Sequence, residues 1–185
     1  FITACVYLAV PSPVRVRANV SISAIDPTGR IAAGDKHTCA IAVNNIIWCW
    51  GDNQFSQLGS AVFPDTESLI PIQTTSLPGS RIANRIVAGA NHTCVLATDG
   101  TVWCWGYNVD GRIGNGNFNQ NQTTPTRIGT NTNWTSVEVG AAHTCGLQSD
   151  QSLWCWGWND YGQLGDGTWG NNRTQPTRIG TNTNW

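Results

Sequence analysis

The chain has 185 residues, with ten Trp, seven Cys and no Met; 11 % of its residues are charged and the formal net charge is −1. That length suits one domain able to bury a core, and charge this sparse and balanced excludes the concentrated Lys and Arg that phosphate binding requires. A disordered solvating chain is excluded as well, and no apolar run approaches the roughly 20 residues of a membrane span.

Residues 1–18 read as a targeting or anchoring remnant. The longest apolar stretch, Phe1 to Val10, is broken by Pro11 and Pro13. Ile2-Thr3-Ala4-Cys5 resembles a bacterial lipobox, which would make Cys5 a lipidated first residue, and Val16-Arg17-Ala18 fits a signal-peptidase site. The structural reading of the same region is a β-strand, because Val14, Val16, Ala18, Val20, Ile22 and Ala24 alternate with more polar residues.

From there a repeat governs the chain. His37-Thr38-Cys39 returns as His92-Thr93-Cys94 and His143-Thr144-Cys145, at offsets of 55 and 51 residues. Trp48-Cys49-Trp50-Gly51 returns as Trp103-Cys104-Trp105-Gly106 and Trp154-Cys155-Trp156-Gly157, and the decapeptide Pro125 to Trp134 recurs identically from Pro176 to Trp185. Three registered copies of such rare residues define a repeat protein, with units near 30–80, 81–134 and 135–185.

Within each unit the period is two. Ala40, Ala42, Trp48 and Trp50 fall on one face of a hairpin, and Cys39, Ile41, Ile47 and Cys49 on the other. If Cys94 faces Cys104, the connection is the three-residue loop Thr98-Asp99-Gly100, with Gly100 at the left-handed position of a type I turn plus bulge. The same spacing centres the other hairpins on Asn44 and Asp150, both turn-tolerant residues. A Gly-rich corner follows each hairpin, at Gly51–Gly59, Gly106–Gly114 and Gly157–Gly165, and then a variable polar loop and a Pro-containing stretch. Helical periodicity is absent. Four short strands per unit of this length is the arithmetic of an all-β propeller blade.

The motifs Gly-x-x-His-Thr-Cys, Asp-Gly-x-Val-Trp-Cys-Trp-Gly-x-Asn and Gly-Gln-Leu-Gly resemble the regulator of chromosome condensation repeat family, in a cysteine-bearing variant, over about Arg30 to Trp185. The resemblance implies a seven-bladed β-propeller. Three units make about three blades, and rings normally need about four to eight. Residues 19–185 are therefore expected to be part of such a ring, the other blades coming from a longer form of the same chain or from another subunit.

Cys39 and Cys49, Cys94 and Cys104, and Cys145 and Cys155 are each ten residues apart, on adjacent strands and the same face. Cross-strand Cα atoms lie about 4.5–5.5 Å apart, within disulfide range. Zinc is the weaker reading: its cysteine ligands are usually two to four residues apart, and the adjoining His would point to the opposite face. One disulfide per blade implies an oxidising, extracytoplasmic compartment: periplasm, cell surface or secreted. Cys5 is left over, as a lipidation site, an intermolecular partner or a free thiol.

No catalytic constellation stands apart from the repeat, and no cofactor or metal is expected. The three His read as structural hydrogen-bonding residues tying strands together. Asp160 and Asp166 with Asn171 and Asn172 carry calcium-type oxygens, but their spacing reads better as a polar turn. Six of the ten Trp belong to the Trp-Cys-Trp motif and read as packing against neighbouring blades or an end surface. Trp158 and Trp169, beside Tyr107, Phe118 and Tyr161 in corresponding corner loops, form the candidate interaction surface.

The expected function is a secreted or cell-surface protein–protein interaction scaffold, one form of which is an accessory subunit of a larger extracytoplasmic assembly. The alternatives are an inhibitor of a secreted hydrolase, as the resemblance allows, and a carbohydrate-binding propeller. Nucleotide exchange on a small GTPase with chromatin binding, which the resemblance also implies, conflicts with the disulfides and the lack of a basic tail. Light sensing in the family needs a Trp cluster at an Arg-rich dimer face, and Arg is sparse here. The partner is thus a protein, with no nucleic acid and no membrane span.

Overall fold

A computed structural model of the protein describes residues 29–61 and 66–185. The expectations for residues 1–18, Cys5 among them, and for the strand from Val14 to Ala24 lie outside these residues.

Alternating apolar residues, interrupted by Gly, Asn and Asp turns, break the described chain into twelve strands. The first blade holds β1 (Ile31–Ala33), β2 (His37–Ile41), β3 (Ile47–Asp52) and β4 (Glu67–Gln73). The second holds β5 (Ala83–Ala88), β6 (His92–Ala97), β7 (Val102–Gly106) and β8 (Gln122–Arg127), and the third β9 (Trp134–Val139), β10 (His143–Gln148), β11 (Leu153–Gly157) and β12 (Arg173–Arg178). Each blade is a four-stranded antiparallel meander in sequence order. The described residues contain no helix, and so none long and apolar enough to cross a membrane.

The hairpin register is the one the cysteine spacing requires, with Cys39 opposite Cys49, Cys94 opposite Cys104 and Cys145 opposite Cys155. In the second blade Ala97 N–H donates to Thr101 O at 2.9 Å, closing the loop Thr98-Asp99-Gly100, and Gly100 takes φ 72°. The corresponding left-handed position is filled by Asn45 at φ 63° in the first blade and Gln151 at φ 61° in the third. An acidic or amide side chain staples each loop: Asp99 accepts from Thr101 N–H at 3.1 Å, Asp150 from Ser152 N–H at 3.0 Å and Asn44 from Ile46 N–H at 3.2 Å. These hydroxyl and amide donors hold the Asp99 and Asp150 carboxyls below their ordinary pKa, the Thr101 and Ser152 side chains being the largest cause in each case.

Blades pack by unlike faces. The cysteine face of the first blade (Cys39, Ile41, Ile47, Cys49) shares one core with Val95, Trp103 and Trp105 of the second. The cysteine face of the second blade (Cys94, Leu96, Val102, Cys104) shares another with Trp134, Val137 and Trp156 of the third. Of the tryptophans expected against a neighbour or an end surface, Trp103, Trp105, Trp154 and Trp156 thus meet the preceding blade. Cys155, Leu164 and Ile179 form a smaller cluster on the third blade's own cysteine face.

Candidate interaction surface

The His-Thr-Cys motif joins blades as well as shaping strands. His37 Nε2 lies 2.8 Å from Thr93 Oγ1 of the next blade, and His92 Nε2 lies 3.1 Å from Thr144 Oγ1. Each threonine hydroxyl donates back to a corner carbonyl of the preceding blade: Thr93 to Gln57 O at 3.0 Å and Thr144 to Arg112 O at 2.9 Å. With that proton committed, Thr93 Oγ1 accepts from His37, and Thr144 Oγ1 accepts from His92. In both rings Nε2 therefore carries a proton. Burial lowers His37 to about 4, against the raising effect of Asp52 and Asp35. Burial, followed by Arg112 and the neighbouring His37 and His143, lowers His92 to about 3. Burial also lowers His143.

The glycine of the Gly-x-x-His motif has a steric role. Gly89 N–H donates to His92 O at 2.9 Å in a tight turn. A Cβ there would overlap the His92 ring and Gly140 O of the next blade, as one at Gly34 would overlap His37 and Gly89 O.

The three cysteine pairs are disulfides, Cys39–Cys49, Cys94–Cys104 and Cys145–Cys155, each with a Cα separation of 4.1 Å.

The corner loops are built around a buried asparagine. In the second blade Asn108 Oδ1 accepts from Ile113 N–H at 3.1 Å, Asn108 Nδ2 donates to Asn117 O at 3.0 Å, and Asn119 N–H donates to Asn108 O at 3.1 Å. Asn159 repeats this in the third blade, accepting from Leu164 N–H at 3.1 Å, donating to Thr168 O at 3.2 Å and accepting from Gly170 N–H at 2.8 Å. The loop tips so fixed carry Phe118 and Trp169, 50 % and 78 % exposed.

The five aromatics expected to form a surface divide in two. Phe118, Trp169 and Tyr161 are exposed, Tyr161 at 82 %. Tyr107 and Trp158 are half-buried. Tyr107 packs on Phe55 of the first blade, tilted by 44° with ring centroids 4.3 Å apart, and the Arg112 guanidinium lies 4.9 Å from its ring centre. Trp158 meets Tyr161 edge-on at 5.2 Å. Phe55 was not among the expected residues, although it occupies the same corner position as Tyr161, and aligning the Gly-rich corners residue by residue reveals it. Trp134, in the recurring decapeptide, is buried against Trp154 and Trp156 at 6.4 and 5.9 Å.

Asp166 holds the third loop from inside. It accepts from Thr168 Oγ1 at 2.6 Å and from Arg173 Nε at 2.7 Å. Burial alone would raise its pKa; these hydrogen bonds and the Arg173 charge outweigh that and lower it. Asn172 Oδ1 accepts from Asn159 N–H at 2.9 Å. Of the oxygens considered for calcium, those of Asp166 and Asn172 are thus bonded within the turn.

Comparison with known proteins matches this architecture. Two models of the regulator of chromosome condensation (RCC1) repeat fit the chain, one over residues 44–96, 99–147 and 150–184, the other over 30–57, 84–112 and 134–163. The ultraviolet-B receptor UVR8 of Arabidopsis thaliana is 34 % identical over 86 % of this chain, which spans 34 % of the receptor's length. The human probable E3 ubiquitin-protein ligase HERC6 is 29 % identical over 80 % of this chain and 14 % of its own. Among solved structures, yeast RCC1 (Prp20) bound to Kap60 superposes with a TM-score of 0.75 at 24 % identity, covering 83 % of this chain and 37 % of that one. Human WBSCR16 superposes at 0.70 and 22 % identity, covering 82 % and 39 %.

Proposed function

The chain belongs to the regulator of chromosome condensation repeat family, and from that premise we propose that it is a non-catalytic protein–protein interaction scaffold of an extracytoplasmic compartment, docking its partner on the corner-loop aromatics. One observation carries this reading: Phe118, Tyr161 and Trp169 stand exposed on loops that buried Asn108 and Asn159 hold rigid. Large aromatics on a preordered frame suit a protein interface, because they bury area with little loss of conformational freedom. Propellers of this shape engage proteins: Prp20 has been solved bound to Kap60, and its binding properties to Gsp1p and histones have been described. The three disulfides support the compartment, since such bonds persist where thiols are not kept reduced.

The test compares complexes isolated from the native source with wild-type protein and with the triple variant Phe118→Ser, Tyr161→Ser, Trp169→Ser. Loss of a stoichiometric partner, at unchanged thermal stability, is the expected result; an undiminished complex removes the surface from consideration. Alkylating free thiols at the moment of lysis, then weighing the protein before and after reduction, tests the compartment. Fewer than three protected pairs would overturn it.

A further inference from the structure

Both blade boundaries within the chain are built alike. At the first, the cysteine face of the first blade meets Trp103 and Trp105 of the second. Gln57 O there accepts from Thr93 Oγ1 and, at 2.8 Å, from Trp105 Nε1. At the second boundary, Trp154 and Trp156 meet the cysteine face of the second blade, and Arg112 O accepts from Thr144 Oγ1. A histidine on the cysteine side, His37 or His92, completes each contact at the threonine hydroxyl. Closure is tight: Thr93, Trp105, Thr144 and Trp156 are inaccessible, as are Cys39, Cys49, Cys94 and Cys104.

The two outer faces carry the same groups with no neighbouring blade among the described residues. Thr38, Trp48 and Trp50 of the first blade hold the positions of Thr93, Trp103 and Trp105 but are only half-buried. His143, Cys145 and Leu153 of the third blade hold the positions of His92, Cys94 and Val102 and are half-buried as well. Neither Thr38 nor His143 has a hydrogen bond to another described residue, whereas their counterparts are all bonded across a boundary. Gln163 stands in the third corner where Gln57 and Arg112 present their carbonyls. The first blade thus offers the tryptophan half of a boundary, and the third blade the cysteine half.

We propose that two copies of this chain dock head to tail, the cysteine face of each third blade receiving the tryptophan face of the other copy's first blade. Thr38 Oγ1 then accepts from His143 and donates to Gln163 O, and Trp50 packs on the Cys145–Cys155 disulfide, as their counterparts do at the two boundaries within the chain. The occupant is a second copy because the matching halves lie on the first and third blades of one chain, with the second blade between them. A contact between unlike patches either closes or runs on as a filament. Two copies of three blades give six, inside the roughly four to eight of closed propellers. Covering half-buried tryptophan and leucine removes apolar surface from water, and the relay pairs the hydroxyl and the imidazole that the contact buries. Dilution restores the single chain, in which Cys145 and both outer faces are accessible and only the second blade is covered on both sides.

Light scattering over a dilution series of the intact 185-residue chain is the test. Trp50→Glu spoils the first-blade face and Leu153→Glu the third-blade face, both at half-buried side chains, and circular dichroism checks that each variant keeps the wild-type fold. Thr38→Val, which removes only the hydroxyl, is the milder probe. The wild type is expected as a dimer, loosened about tenfold in Thr38→Val. Each glutamate variant should be monomeric alone, yet an equimolar mixture of the two should pair, because one intact contact remains between them. The Cys145–Cys155 bond should also resist reduction better as the chain is concentrated. A wild-type chain that stays monomeric at micromolar concentration overturns the proposal. So does a glutamate variant that dimerises alone, a mixture no more associated than its parts, or a mass that keeps rising with concentration.

Discussion

At the scale of single residues, the buried histidines decide how the protein responds to acid. His37 and His92 titrate near 4 and 3 in the folded protein, against 6.5 without burial. The unfolded chain therefore binds protons that the folded one refuses. Their stabilisation is complete above pH 6.5 and is lost as the pH falls from 6.5 towards the folded values. Unfolding free energy measured by urea titration should drop by about 2 kcal/mol for each of these residues between pH 7.5 and pH 5; a flat profile would show that the rings are not neutral in the fold. Thr144→Val tests the same relay at constant pH. It strands the His92 N–H and the Arg112 carbonyl, which now share Thr144 Oγ1, and should cost about 1–3 kcal/mol. In the opposite direction, Gln151 holds φ 61° where the second blade uses Gly100. Gln151→Gly should raise stability by about 0.5–1 kcal/mol, read as a higher melting temperature.

At the scale of the element, each β-hairpin carries its own cross-link, and burial separates the three. Cys39, Cys49, Cys94 and Cys104 are fully inaccessible, whereas Cys145 is partly exposed. Graded reduction followed by alkylation and peptide mass analysis should therefore open Cys145–Cys155 first. Removing the central pair by Cys94→Ala with Cys104→Ala should cost about 2–4 kcal/mol, mainly by freeing the unfolded chain. The hairpins were legible in advance because their information is local. A ten-residue separation of paired cysteines, with Asn44, Asp99 or Asp150 at the midpoint, leaves one register for a period-two strand. The corner loops were legible only as Gly-rich turns. What orders them is the buried amide of Asn108 or Asn159 bonding to backbone groups five to twelve residues away in sequence, a network to which no single spacing points.

At the scale of the whole molecule, the blades are held by unlike faces, cysteine side against tryptophan side. The second blade is covered on both faces, whereas the first blade's Trp48 and Trp50 are half-buried. Amide hydrogen exchange should be slowest in β6 and β7, because only there are both faces packed within the described residues; equal protection in all three blades would count against this. Gly89→Ala presses a methyl group into the His92 ring and into Gly140 O of the next blade, and should destabilise by about 1–3 kcal/mol. Its effect spreads across two blades, unlike that of the hairpin variants.

By itself, the sequence determined the repeat, the all-β blades, the hairpin registers and the cysteine pairs, all of which follow from period and spacing along one segment. Only the tertiary structure decided what the repeated residues are for. His37 and His92 tie blades together rather than strands, the motif tryptophans of the second and third blades pack on the preceding blade, and Tyr107 is engaged by Phe55. The reason is physical. Partners separated by more than 30 residues meet because blades stack, and neither hydrophobic period nor turn chemistry encodes which face of one sheet will meet which face of the next.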